Sequence, residues 1–272
     1  MPPVPSATQT LLRDYRPYDP ARLSVRRLPG APPNPAELEN MNRKVVEVLD
    51  TMTVAEYTAA RGGLDAQVAY IRSVLDAVDL RGVRRALEFG AGTAKVSALL
   101  TLAPGVEEVW ANDFSEPLLT EIAPRVVSYV GGDLGKVRLL VGDMNRLPDL
   151  DERFDLVVCY YAVHHLVLPE HFLHRLGSVL TSRGRVLCVR EPALPALRLP
   201  TPSIRQTTAA VARLRREGEN ENLYTVAEYR AQGEPGFRFR LLMLHDGRRA
   251  LPRVAQWAWK SGFDVAYVLE RR

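Results

Sequence analysis

Cysteine is nearly missing from this sequence: Cys159 and Cys188 are the only two in 272 residues, and both fall inside apolar runs that read as strands. That excludes a disulfide scaffold, leaves no Cys/His spacing for a metal site, and makes each thiol a small hydrophobe. Lysine is scarce as well: Lys44, Lys95, Lys136 and Lys260 are four of the 36 basic residues. The remaining basic side chains are arginines spread over the whole length, and with a formal charge of +4 they form no nucleic-acid stripe. Long apolar runs are absent too. The longest, Leu156 to Val163, falls well short of a membrane span, and the amino terminus has no basic segment followed by an apolar one. With 46% hydrophobic and 25% charged residues the composition is that of a soluble globular protein with a real core, and the expected location is the cytoplasm.

Residues 1 to 36 are rich in proline and lack periodicity, so they are expected to form an extended arm more than a packed element. From Ala36 to Leu80 the spacing turns helical, and Thr53 with Glu56 forms a capping box. The same letters, TVAEY, recur at Thr225 to Tyr229; nothing around the copies matches, so these are two similar helix starts and no repeat. From Arg84 short apolar runs alternate with helical stretches, the pattern of parallel βαβ units. Strands are predicted at 85–89, 107–112, 137–141, 154–160 and 185–189, with helices at 94–102, 116–130 and 169–180. Pro192, Pro195, Pro200 and Pro202 then break the regularity, since proline is excluded from central strands and helix interiors. A helix over 204–216, the loop GENEN, a capped helix from Thr225 and strands at 237–244 and 263–269 complete the prediction.

The expected organisation is therefore an arm and helical cap over 1–80, a ligand-binding core over 81–191, an insertion or lid over 192–235, and C-terminal strands over 236–272. The fold class is α/β: a doubly wound, Rossmann-like, mostly parallel sheet with helices on both faces.

The first strand of the core ends in Leu87-Glu88-Phe89-Gly90-Ala91-Gly92-Thr93 and runs straight into a helix. Gly90 and Gly92 allow a tight turn and close approach of a ligand, and the helix start offers unpaired N–H groups. A dinucleotide site needs Gly-x-Gly-x-x-Gly, but the sixth position here is Lys95. An acid, Glu88, stands two residues before the first glycine, where it opposes a pyrophosphate and suits a cation. Asp113 ends the second strand and is placed to accept from ribose hydroxyls, with Phe114 offering an aromatic face to a base. Asp143, in Gly142-Asp143-Met144, closes the third and is placed to accept from an adenine amino group.

These residues resemble the class I S-adenosylmethionine-dependent methyltransferases of the small-molecule type. The likeness runs from Arg85 to Glu191: EFGAG, NDFS, GDM, FDLVVCYYAVHHL and SRGRVLCVREP, five motifs in order at βα spacing. The sequence departs from the family at Ala94, where many members carry a third glycine. The resemblance implies S-adenosyl-L-methionine as cofactor, held by Glu88, Phe89, Gly90, Ala91, Gly92, Asp113, Phe114, Asp143, Met144 and Tyr160, with no metal. It implies transfer of a methyl group in one displacement to an O or N atom, or a C atom, of a small molecule. Similar O-methyltransferases use a His-His pair after the fourth strand, here His164 and His165, with an acid after the fifth. Arg190 stands in that acid's place and Glu191 is next to it, so the catalytic candidates are His164, His165 and Glu191.

Of Tyr160 and Tyr161, alternation sends one to the pocket and the other to the core. Phe237 to Arg240 read as a half-exposed strand, Arg213, Arg215 and Arg216 as a solvated helix face, Trp257 and Trp259 as packing, and His245 with Asp246 as a strand end. The leading expectation is an enzyme acting on a small-molecule acceptor, with no nucleic-acid or membrane partner; a homodimer is compatible with it. The Arg- and Ala-rich, Lys-poor composition suits a GC-rich bacterial genome and natural product biosynthesis. The alternatives are methylation of RNA or protein, and a cofactor-binding protein that transfers no methyl group.

Overall fold

The computed structural model describes residues 10–29, 35–146, 150–194, 202–216, 220–234, 236–242 and 263–272. Pro195, Pro200, His245, Asp246, Trp257 and Trp259 lie outside them. The chain divides into two compact units, Met1–Asp143 and Met144–Arg272, the boundary falling just after the third predicted core strand.

In the first unit four parallel strands stand in the order β1-β4-β3-β2. They are β1 (Ser24–Arg27), β2 (Arg85–Phe89), β3 (Glu108–Asp113) and β4 (Val137–Val141). The last four residues of β2 and the last five of β3 are buried, which is why these segments read as continuous apolar runs. Helices α1 (Pro35–Thr51), α2 (Val54–Ala59), α3 (Leu64–Asp76), α4 (Lys95–Thr101) and α5 (Ala123–Val130) accompany them. Small residues of α4 and α5, Ala94, Ala98, Ala123 and Val127, pack with Ala111, Val137 and Leu139 of β3 and β4. Thr53 caps α2 with the reciprocal Glu56 bond that the sequence predicts.

The arm reading is corrected by β1. Residues 24–27 pair in register with 138–141 of β4, and Leu12 is buried among Val45, Val54, Leu64, Ile122 and Val126. The anchor is Arg125, itself buried: its Nε donates to the Leu12 carbonyl at 2.8 Å, Nη2 to the Arg13 carbonyl at 3.0 Å and Nη1 to the Tyr18 hydroxyl at 2.9 Å. Proline density hid this strand, because β1 is four residues long and pairs only on one side.

The predicted helix over 116–130 is split, with a π-helical turn at Leu118–Ile122 leading into α5. Pro124 has no N–H to return to Thr120, and the Thr120 carbonyl instead accepts from the Tyr18 hydroxyl at 3.4 Å.

In the second unit β5 (Phe154–Tyr160) pairs parallel with β6 (Leu180–Leu194), and β9 (Phe263–Arg271) pairs antiparallel with β6 and with β8 (Phe237–Leu242). The two-residue β7 (Tyr224–Thr225) adds parallel to the end of β6. Helices α6 (Pro169–Val179), α7 (Pro202–Arg216) and α8 (Val226–Gly233) complete it. Strand β6 runs past its predicted end and contains Pro192, contrary to the expectation that proline stops it. Arg190 has φ 60°, the register slips between Cys188 and Glu191, and pairing to β5 ends at Val189. Beyond that bulge Pro192 faces no β5 acceptor, so its missing N–H breaks no bond there.

Candidate active site

The glycine turn after β2 is built as the motif demands. Gly90, Gly92 and Ala94 all have positive φ, at 63°, 53° and 56°, and a Cβ placed on Gly92 meets nothing within 4 Å. Ala91 N donates to the Asn112 carbonyl at 2.7 Å, which ties the turn to β3. Phe89 is fully buried in the core and Ala91 nearly so, leaving their backbone groups to meet a ligand.

Glu88 is fully buried. Its Oε2 accepts from Ser97 N at 2.8 Å and Ser97 Oγ at 2.5 Å, whereas Oε1 is buried without a hydrogen-bond partner among the described residues. Burial pushes its carboxyl up to about 7, against the downward pull of the Ser97 hydroxyl and N–H and of Lys95; the Asp113 charge adds to the rise. Asp113 accepts from Gly92 N at 2.8 Å and Ser115 N at 3.0 Å, so it spans from β3 to the glycine turn. Burial raises its pKa, the N–H groups of Ser115, Gly92 and Phe114 oppose that, and the Asp143 charge raises it further. Each acid thus feels the next: three carboxylates crowd one set of strand ends, and the Glu88 Oε1 among them is in a dry place. An uncompensated acceptor among like charges fits a ligand that brings a cation and hydroxyl donors, and it repels a diphosphate.

The amino-terminal segments brace this half-site. Arg27 pairs with Glu116, and Ser115 Oγ donates to Asn42 Oδ1 of α1 at 2.7 Å. Phe114 is partly exposed beside them. A Cβ on Gly142 would meet Leu28 Cβ at 2.8 Å, so the residue before Asp143 must be glycine for the arm to lie there.

In the second unit Met144 opens a single 3-10 turn, Met144–Arg146, and β5 ends at Tyr160. Alternation fails for the tyrosine pair, and neither enters the core. Tyr160 is half-buried and accepts from Arg190 Nη1 at 3.1 Å, while Tyr161, at φ 53°, is 46% exposed.

The next residues, Val163–His165, form a 3-10 turn that Glu191 organises. Its fully buried carboxylate accepts from Ala162 N at 2.9 Å, Val163 N at 3.0 Å, His164 N at 3.3 Å and His164 Nδ1 at 2.9 Å. Four donors fill the lone-pair sites of an ionised carboxylate. Glu191 therefore holds the turn and fixes the proton of His164 on Nδ1, which leaves Nε2 as the lone-pair atom of the neutral ring.

The sequence reading missed Glu221. The described part of GENEN, residues 220–222, is tied down: Asn222 N and Nδ2 donate to the His164 carbonyl at 2.9 and 3.0 Å, and Nδ2 also donates to the Leu166 carbonyl at 3.1 Å. Asn220 Nδ2 donates to the His165 carbonyl, and the Asn220 carbonyl meets His165 Nδ1 at 3.0 Å. This seats Glu221 3.6 Å from His164 Nε2 and 3.7 Å from His165 Nδ1. Arg215, read as part of a solvated face, binds the Glu221 carbonyl and Asn222 Oδ1. The available signal was three successive polar residues with fixed amide geometry between two helices.

The methyltransferase-domain family model matches residues 87–188. YcgJ of Bacillus subtilis (strain 168), described as an uncharacterized methyltransferase, is 28% identical over 116 residues, 43% of this chain and 44% of that protein. Its solved structure superimposes with a TM-score of 0.53 at 19% identity, covering 75% of this chain and 98% of that one. Demethylmenaquinone methyltransferase of Geobacillus kaustophilus (strain HTA426) is 30% identical over 125 residues, 46% of this chain and 52% of that protein. Human N-acetylserotonin methyltransferase, solved in complex with S-adenosylmethionine, has a TM-score of 0.50 at 16% identity, covering 86% of this chain and 65% of that one. The matches span about half the length of the curated relatives. Residues 87–188 match the methyltransferase-domain family, and the Rossmann-like fold and the acid-ringed glycine turn agree with that match.

Proposed function

We propose that the protein transfers a methyl group from S-adenosylmethionine to an O or N atom of a small molecule, with a carbon acceptor as the rarer case. The cofactor supplies an electrophilic methyl on a sulfonium, and the displacement needs a collinear acceptor, exclusion of water and, for a hydroxyl, somewhere for the proton to go. Glu88, Asp113 and Asp143, with the turn from Gly90 to Gly92, hold the amino-acid, ribose and adenine parts; Phe114, Met144 and Tyr160 flank the base and sugar. His164, His165 and Glu221 form the acceptor-facing group, and Glu191 is the positioning residue that sets the His164 tautomer. Tyr161, Val167 and Leu168 are exposed apolar side chains next to that turn, which suits an acceptor with an apolar body.

The observation that carries this reading is the Glu191–His164 pair: a buried carboxylate orients an imidazole whose second nitrogen makes no hydrogen bond among the described residues. A protein that only binds the cofactor has no use for that arrangement. RNA or protein acceptors are disfavoured by the absence of a basic cluster in the sequence. A cytoplasmic role in bacterial natural product biosynthesis is part of the same proposal. Among the described residues no helix is long and apolar enough to cross a membrane.

The test is incubation with S-adenosylmethionine bearing a trideuterated methyl group and a panel of phenols, sugars and amines, read by mass spectrometry. A labelled product that disappears in His164→Ala supports the reading. Cofactor binding without labelling of any small molecule, but with labelling of added RNA or protein, would reassign the acceptor.

A further inference from the structure

The group formed by His164, His165 and Glu221 has a charge arrangement that the methyl-transfer reading leaves unexplained. One ring nitrogen of each histidine and one carboxylate oxygen of Glu221 lie within 4.8 Å of one another. His164 is fully buried and Glu221 nearly so. With the Nδ1 proton committed to Glu191, the Nε2 lone pair of His164 points at a carboxylate oxygen 3.6 Å away, an acceptor facing an acceptor in a dry place. Such a pair repels unless a proton or a metal ion lies between them.

We infer that these three side chains are the ligands of a divalent transition-metal ion of the Zn²⁺ class, in a site with one position left open. Two imidazoles and one carboxylate are a known type of donor set for a catalytic zinc. Tetrahedral coordination at ordinary Zn–N and Zn–O lengths sets ligand atoms about 3.4 Å apart. Glu221 Oε2 lies 3.6 Å from His164 Nε2, which needs only a slight contraction, and one ring nitrogen of His165 lies within 4.8 Å of the other two ligand atoms.

The surroundings fit as well. A metal-bound histidine usually donates its other N–H to a carboxylate, which orients the ring and raises its basicity, and Glu191 does this for His164. The Asn220 carbonyl, 3.0 Å from His165 Nδ1, steadies the second ring. Asn220 and Asn222 clamp the chain on either side of Glu221 and Arg215 binds its carbonyl, so the backbone that carries the carboxylate is held before any ion arrives. The open position takes an oxygen, nitrogen or sulfur donor such as an acceptor's hydroxyl. That role, though not the binding, rests on the proposed methyl transfer.

The site is tested on full-length protein stripped with a chelator and titrated with Zn²⁺ and with Co²⁺. Metal content is measured after gel filtration, and the visible absorption of Co²⁺ reports ligand geometry. One equivalent per chain is expected, with intense tetrahedral Co²⁺ bands, and at least a hundredfold weaker binding in Glu221→Gln and His165→Ala. His171 and His174, exposed on α6, serve as the control: their double alanine variant should bind as the parent does. Circular dichroism of every variant separates lost ligands from lost folding. Absence of stoichiometric binding, or binding that follows His171 and His174, overturns the inference. Because metal binding is read without turnover, methyl transfer by protein that binds no stoichiometric metal would reject this site alone, whereas metal binding without any methylated product would reject the functional reading alone.

Discussion

Ala94 sits fully buried in a left-handed conformation, φ 56° and ψ 35°, at the start of α4. A Cβ there costs about 1–2 kcal/mol, partly offset by the greater freedom glycine has in the unfolded chain. Ala94→Gly should therefore stabilise the protein by roughly 0.5–1 kcal/mol and keep cofactor affinity, measured as an upward Tm shift and an unchanged titration with S-adenosylhomocysteine. Glu191 answers to a different test. Glu191→Gln turns an NH₂ group toward buried N–H donors and should cost about 1–3 kcal/mol. It should also shift the pH profile of turnover, because the His164 tautomer is no longer set; a purely structural Glu191 would lower Tm and leave that profile alone. The glycine turn and the places of the acids at the strand ends were readable from sequence because each occupies a fixed offset from a strand end. Glu221 was not, since what places it is the Asn220 and Asn222 amides reaching 55 to 58 residues back along the chain.

At the scale of elements the amino-terminal segment matters most. Its strand β1 extends the edge of the first unit's sheet, Leu28 lies against Gly142, and Asn42 of α1 meets Ser115 next to Asp113. Gly142→Ala forces Leu28 away and should cost about 1–3 kcal/mol. The same change should weaken S-adenosylhomocysteine binding several-fold through Asp143, and deletion of residues 1–28 should restore Asp143 its room but expose the β4 edge. Proteolysis of the amino terminus, faster in Gly142→Ala than in the parent, checks the first step. The strands at 85–89, 137–141 and 154–160 have the ends expected from apolar patterning, since parallel strands buried on both faces need no alternation. The bulge that admits Pro192 and the π turn before Pro124 depend on which bonds proline leaves unmade, and that is decided by neighbours far along the chain.

For the whole molecule, the α/β class and the order of the five motifs followed from sequence, while the division after Asp143 did not. The central claim is that a cationic sulfur nucleoside binds at the glycine turn of the first unit, and Glu88 gives it a pH signature. Burial raises the folded-state pKa of Glu88 to about 7 from its ordinary 4.5. The folded protein without ligand therefore favours the protonated acid, and stability from this group is lost as pH rises from 4.5 through 7. A bound cation reverses the preference, because it favours the ionised form. The most direct measurement is calorimetric titration of S-adenosylmethionine and S-adenosylhomocysteine between pH 5.5 and 8.5, in the parent and in Glu88→Gln. The account predicts micromolar binding that weakens as pH falls below about 7, and a tenfold or greater loss in Glu88→Gln together with its pH dependence. Binding of a dinucleotide in place of either ligand, or affinity indifferent to both pH and Glu88, would contradict it.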